Sequence, residues 1–207
     1  MRRVDLTMPE GAASPADCTI VLVRHAHNGM AGRFCGHSDP PLSSQGREQA
    51  ARSADSLAHS PLTHIFSSDL LRCRETAAFV AARSGLPVEL LPELREMRFG
   101  EWEGLTWDEI TQRDAAYARR WIEEYPWLPA PDGEEFGDFR KRVQSALHEL
   151  AGRIPGGRAA VVTHSGVIRT FLLDVLQLPV SGLATLTVEY ASCTEIHLRA
   201  GRWCASI

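Results

Sequence analysis

Two histidines stand out in this 207-residue chain because each ends a short apolar run: Ile20-Val21-Leu22-Val23-Arg24-His25 and Ala159-Ala160-Val161-Val162-Thr163-His164. Such runs read as short buried strands. Hydrophobic packing alone would not place Arg-His, or His-Ser-Gly, at their ends. In open α/β sheets ligands gather outside the carboxyl ends of the strands. His164-Ser165-Gly166 also opens a helix, where free backbone amides and the helix dipole favour an anion. Arg72 falls in the first turn of another expected helix, off its apolar face, so packing does not demand it there. Arg24, Arg72, His25 and His164 gathered at one sheet edge would form a phosphate-sized anion site. Guanidinium groups bind phosphate in a bidentate way that lysine cannot reproduce.

That set has a chemical use. Histidine is a covalent nucleophile only as the neutral imidazole, and adjacent arginines disfavour imidazolium. The same arginines would neutralise charge on a transferring phosphoryl group. A leaving alkoxide needs a proton, and a positioned carboxylic acid contributes about 10²- to 10⁴-fold in rate. Glu93, Glu96, Glu101 and Glu103, in the segment that would reach over the sheet edge, are the candidates.

The elements that must position these groups alternate. Loop residues Asn28 to Asp39, closed by Pro40-Pro41, follow the first strand; Ser43 is an N-cap signal for a helix with Ala50, Ala54, Leu57 and Ala58 on one face. His64–Ser67 reads as a second strand. Ser68-Asp69 is a cap signal for a helix with apolar face Leu70, Cys73, Ala77, Val80 and Ala81, ended by Gly85 and Pro87. Val88–Leu91 is a third strand. Thr106 and Glu109 fit a capping box, opening a helix that carries Trp107, Ile110, Ala118, Trp121, Ile122 and Tyr125. Phe136, Phe139, Val143, Leu147 and Leu150 mark another helix, and Val167–Leu176 an apolar, central one. Leu186–Tyr190, Cys193–Arg199 and Trp203–Ile207 read as strands, with Ala200-Gly201 as a turn. The pattern predicts a three-layer α/β/α sandwich around a mainly parallel, mixed sheet.

Residues 1–17 read as a flexible leader and 18–207 as a single domain with an insertion at about 98–135. There Trp102, Trp107 and Trp121 are expected to pack the insertion. A net charge of −4 gives no general reason to expect nucleic acid or an anionic membrane as partner. The longest apolar runs are far short of the roughly 20 residues that span a bilayer. Five scattered cysteines without a C-x-x-C pair argue against a disulfide framework or zinc ribbon and suggest a reducing, cytoplasmic setting. The β-rich C-terminal strands could pair across a homodimer.

Five blocks in order resemble one family. Val23-Arg24-His25-Ala26 is similar to the Arg-His-Gly/Ala signature of the histidine phosphatase superfamily, which includes the cofactor-dependent phosphoglycerate mutases. Gly32-Arg33-Phe34-Cys35-Gly36-His37-Ser38-Asp39-Pro40-Pro41-Leu42-Ser43 resembles its G-R-x-x-G-x-x-D-x-P-L-[ST] loop. Ser67 to Ala77 resembles S-S-D-L-x-R-x-x-Q-T-A. Leu94 to Gly104 resembles L-R-E-x-x-F-G-x-W-E-G, and Thr163 to Arg169 resembles T-H-G-G-V-I-R. The resemblance implies a phosphoglycerate mutase-like fold and phosphomonoester hydrolysis without metal or cofactor. His25 would be the nucleophile forming a phosphohistidine, with Arg24, Arg72, His164 and Ser165 around the phosphoryl group and Glu96 as proton donor. Asn28 and Arg33 are candidate substrate contacts, an ion pair of Arg33 with Asp39 being the alternative for the latter.

The family's usual Arg-His-Gly-Glu-Thr-x-x-Asn is here Arg24-His25-Ala26-His27-Asn28-Gly29-Met30-Ala31. This shorter loop and the compact segment after Tyr125 favour a phosphatase over a mutase. They resemble the branch of α-ribazole phosphatases and broad-specificity sugar-phosphate phosphatases. The substrate expected is thus a small phosphorylated metabolite, α-ribazole 5'-phosphate or a sugar phosphate. The alternatives are mutase-type phosphoryl transfer, a metal-dependent hydrolase using His25, His27, His37 and Asp39, and a non-catalytic phosphate-binding module. His27, His37 and His59 are expected as exposed polar residues rather than ligands.

Overall fold

The computed structural model describes residues 16–59 and 61–206; the leader expected over 1–17 lies outside them except for its last two residues. Among these described residues six strands form one sheet: β1 (Cys18–Arg24), β2 (His64–Ser67), β3 (Val88–Leu90), β4 (Arg158–Thr163), β5 (Cys193–Arg199) and β6 (Arg202–Ser206). Their order is β3-β2-β4-β1-β5-β6. The β2–β3, β2–β4 and β1–β4 pairs are parallel, and the β1–β5 and β5–β6 pairs antiparallel. This is the mixed, mainly parallel sheet that the alternation of elements predicts.

The helices are α1 (Ser44–Leu57), α2 (Leu71–Ser84), α3 (Trp107–Arg113), α4 (Ala115–Glu123), α5 (Phe136–Arg153) and α6 (Ser165–Val175). Strand residues alternate between two cores, as the period of two requires. Ile20, Leu22, Phe66, Ala159 and Val161 join Phe139, Val143 and Leu147 of α5 and Ile168 and Phe171 of α6. Val21, Val23, Ile65, Ala160 and Val162 face Ala54 and Leu57 of α1 and Cys73, Ala77 and Val80 of α2. Burial on both faces explains why these strands read as unbroken apolar runs.

Several local expectations change. The helix expected from Trp107 to Tyr125 is two helices, broken at Asp114, which leaves helical geometry (φ −151°, ψ 88°) and accepts hydrogen bonds from the amides of Ala116 and Tyr117. A short polar side chain that can cap a second helix competes with continuing the first. Ile122, on the expected apolar face, is exposed. Leu186–Tyr190 is not a strand; it crosses the carboxyl end of β1, where its groups meet Arg24. Ser68 and Asp69 do not cap α2. Its first amide, that of Leu71, is held instead by Asp39 from the loop after β1, at 2.5 Å. Ser43 caps α1 through the Gly46 amide, and the Thr106–Glu109 capping box is formed.

Candidate active site

Register brings the two histidines together. Arg24 lies opposite Thr163 in the parallel β1–β4 pair, so the residues that follow, His25 and His164, emerge side by side at the carboxyl edge. Their rings lie 5.2 Å apart between centroids, at 61°. The β4–β2 pairing carries the chain past Ser67 into α2 on the other flank, which delivers Arg72. Both histidines are buried, and Arg72 is fully so, at 0% exposure.

The hydrogen bonds distinguish the two imidazoles. His25 Nδ1 lies 2.8 Å from the Ala26 carbonyl, which can only accept. The proton therefore sits on Nδ1, and Nε2 keeps its lone pair. His164 is the reverse: Arg72 Nη2 donates to Nδ1 at 3.1 Å, so Nε2 carries the proton and donates to Ser68 Oγ at 3.0 Å. Burial, then the charge of Arg72, pushes both imidazoles well below the ordinary histidine pKa; Arg24 adds to the effect on His25. Both are held neutral by the surroundings that would attract an anion.

Arg72 is anchored by carbonyls of the loop after β1, donating to Ser38 O (2.7 Å) and Gly36 O (2.7 Å). Arg24 donates to Val188 O at 2.7 Å, and its guanidinium carbon lies over the Tyr190 ring, 3.6 Å from the centroid. Tyr190 also packs edge-on against His25 and His27, with centroids 5.6 and 5.3 Å away. Neither arginine has a carboxylate ion-pair partner among the described residues, and the buried Nε–H of each finds no protein acceptor.

Of the four glutamates, Glu96 alone is both buried and at the site, 7% exposed. Its Oε2 accepts from the Gly166 amide at 2.9 Å, in the first turn of α6. A Cβ at Gly166 would lie 2.2 Å from Glu96 Oε1, so glycine is what lets the carboxylate reach the helix end. Glu96 is fixed from behind: His37 Nε2 lies 3.0 Å from its carbonyl, and Arg142 and the bidentate Arg95–Asp69 pair hold the flanking backbone. Glu103 is engaged elsewhere, its two oxygens accepting from the amides of Gly36, His37, Ser38 and Phe99 and from Ser38 Oγ. Although burial opposes ionisation, those donors outweigh it and keep its carboxyl below the usual range. Glu93 and Glu101 are exposed.

The other candidates fall at different distances from the centre. Ser165 begins α6 beside His164. Asn28 is buried, contacting Cys35 Sγ and accepting from the Met30 amide. Arg33 does not pair with Asp39. It donates to Gly104 O and Glu109 and forms a β-bridge with Thr106, tying the loop to the tryptophan-rich segment. That segment has its own cluster of Trp102, Ile110 and Ala118 with Phe34, Trp107 and Trp121. His27 and His37 are half-buried rather than exposed, bonded to Ser43 Oγ and Glu96 O respectively, while His59 is exposed. His25, His27, His37 and Asp39 thus each face a different partner, and among the described residues no cluster of three or more potential ligands could hold a metal ion.

Sequence reasoning missed Tyr190 and Arg169. Tyr190 lay in an expected strand, where an aromatic needs no further explanation. Arg169 ended a matched block, yet its helix reads as apolar. Its buried Nε–H, like those of Arg24 and Arg72, lacks an acceptor among the described residues.

Residues 20–206 match the histidine phosphatase superfamily (branch 1). The adenosylcobalamin/alpha-ribazole phosphatase of Salmonella typhimurium is 31% identical over 182 residues, covering 87% of this chain and 90% of that protein. A probable phosphoglycerate mutase, GpmB, of Photorhabdus laumondii is 29% identical over 189 residues, covering 90% and 88%. The mycobacterial glucosyl-3-phosphoglycerate phosphatase Rv2419c superposes with a TM-score of 0.81 at 29% identity, covering 92% of this chain and 98% of that one. With the paired histidines, the arginines and the buried glutamate all in place at one sheet edge, the chain belongs to the histidine phosphatase superfamily, branch 1.

Proposed function

We propose that this protein hydrolyses small phosphomonoesters through a phosphohistidine on His25. The observation that carries the reading is the Nδ1–H bond from His25 to Ala26 O. It leaves Nε2 as a neutral nucleophile beside two guanidinium groups that lack carboxylate partners. Arg24 and Arg72 hold the phosphoryl oxygens, with His164 and the α6 amide end at Ser165 completing the cradle. His25 Nε2 forms a bond to phosphorus as the ester P–O bond breaks. Glu96, entering as the carboxylic acid, gives its proton to the departing alkoxide. The resulting carboxylate then takes a proton from water as that water attacks phosphorus, releasing inorganic phosphate and restoring His25. Arg33 braces the loop that anchors Arg72, and Asn28 lines the loop beside it.

The α-ribazole and glucosyl-3-phosphoglycerate phosphatases among its relatives support a phosphorylated metabolite as substrate, in a cytoplasmic setting where the free cysteines stay reduced. A screen of phosphorylated metabolites, run with chelator present, tests this reading. Turnover that survives chelation and vanishes in His25→Ala is expected. Activity that needs added metal, or that persists in His25→Ala, would contradict it. Conversion of 3-phosphoglycerate to 2-phosphoglycerate faster than phosphate release would favour the mutase reading.

A further inference from the structure

Arg24 and Arg72 are held in different ways. Arg72 donates from both Nη groups, to the carbonyls of Ser38 and Gly36 and to His164. Among the described residues the Arg24 guanidinium donates once, from Nη1 to Val188 O at 2.7 Å. One hydrogen bond leaves a long side chain free to swing about it, and rotamer freedom lost on binding weakens an ion pair. Arg24 is covered from one side instead: its guanidinium carbon lies 3.6 Å from the centroid of the Tyr190 ring. Arginine is attracted to aromatic faces, and the contact strengthens where water is excluded. With Nη1 bonded and the ring beneath, Nε–H and Nη2 are left without an acceptor among the described residues. These two groups form the edge of the guanidinium that can grip two phosphoryl oxygens at once.

Tyr190 is itself fixed. It occupies a turn closed by the Ser192 amide on Glu189 O at 3.1 Å, in which Ala191 takes φ +57°. A residue with a side chain is strained in that region and persists there where its surroundings enforce it. The Ala191 amide donates to His25 O and the Arg24 amide to Ser192 O, and Ala191 packs against the cluster of Ala26, Leu42 and Ala50. The Tyr190 ring also meets His25 and His27 edge-on, and His27 is tied to Ser43 Oγ. Among the described residues Tyr190 is thus engaged through its ring and not its hydroxyl. We propose that Tyr190 is a positioning residue for the phosphoryl site: its ring holds the Arg24 guanidinium so that the Nε–Nη2 edge meets the phosphoryl oxygens. This rests on the phosphatase reading and adds to it the segment that sets Arg24.

The test is a double-mutant cycle on the full chain hydrolysing p-nitrophenyl phosphate, with Tyr190→Leu, Arg24→Met and the two combined. Tyr190→Leu should raise KM about three- to thirtyfold, the range of a partly desolvated cation–π contact, with kcat changed less. In the Arg24→Met background the same substitution should cost less than about twofold, because the group it positions is gone. Tyr190→Phe keeps the ring and should recover most of the loss. Where Arg24→Met turns over too slowly to follow, the same cycle is read in the Kd of inorganic phosphate by calorimetry. If Tyr190→Leu folds poorly, nitrogen-15 spectra of the wild type decide. The ring current should move the Arg24 Nε–H proton upfield of the other arginines, and a position among them would overturn the proposal. Equal losses with and without Arg24, a loss confined to kcat, no loss at all, or a Phe variant as impaired as Leu would also overturn it, while wild-type hydrolysis stands. Absence of wild-type hydrolysis of p-nitrophenyl phosphate and of every phosphorylated metabolite tried would overturn the phosphatase reading and this proposal with it.

Discussion

His25 and His164 lie side by side, yet the protein engages their ring nitrogens differently. A carbonyl on His25 Nδ1 and a guanidinium on His164 Nδ1 set opposite tautomers. Nitrogen-15 ring spectra at pH 7 should therefore show His25 protonated on Nδ1 and His164 on Nε2, both neutral; a charged His25 would contradict the account. The sign of the pH dependence follows. Both folded-state pKa values lie below the ordinary 6.5. Between the folded value and about 6.5 the unfolded chain binds more protons, so stability is full above about pH 6.5 and falls as pH drops through that interval. Chemical denaturation at stepwise lower pH checks this, and His164→Gln should flatten the slope. At Glu96, Gly166→Ala places a methyl group where the carboxylate sits. Turnover of alkyl phosphates should fall at least about tenfold, and that of activated aryl phosphates less, because only a poor leaving group needs the proton. Equal losses would shift the acid role away from Glu96. The two site histidines were legible because each ends a buried apolar run, where hydrophobic packing alone would not place it. The proposed acid was not separable from its neighbours by residue pattern alone. Burial and the Gly166 amide single out Glu96, whereas Glu103, equally acidic in sequence, is engaged by the loop.

Glu103 matters at the scale of elements. It gathers the amides of Gly36, His37 and Ser38, and the carbonyls of Gly36 and Ser38 in turn hold Arg72. The tryptophan-rich segment thus sets the arginine through a loop, without touching it. Glu103→Ala should cost at least about 2 kcal/mol of stability, since several buried donors lose a charged acceptor at once. It should also raise KM for phosphomonoesters. Urea titration and steady-state kinetics measure the two, and an unchanged KM would show that Arg72 holds its position without this brace. Strands β1, β2 and β4 were legible because both faces are buried. Caps formed from local sequence, at Ser43 and Thr106, were legible too. The break at Asp114, the Asp39 cap on α2 and the coil at 186–190 were not, because each depends on partners distant in sequence or on a local competition that periodicity does not resolve.

For the whole molecule, parallel pairing of β1, β4 and β2 converts separate sequence blocks into one site between two cores. A ligand bound there bridges elements from both and should stabilise the fold as a unit. Inorganic phosphate at about 100 times its Kd should add about 2.7 kcal/mol, seen as a rise in Tm that Arg24→Met greatly reduces. An equal rise in that variant would place the anion elsewhere. The alternation of elements revealed the architecture, and the order of the five blocks revealed the family. The chemistry proposed for His25 is covalent. Rapid acid-free quenching of the enzyme during turnover of a phosphorus-32-labelled phosphomonoester should trap label on His25 as an acid-labile, alkali-stable phosphoenzyme, absent from His25→Ala. Turnover with no trapped phosphoenzyme at any quench time, or label on another residue, would contradict it.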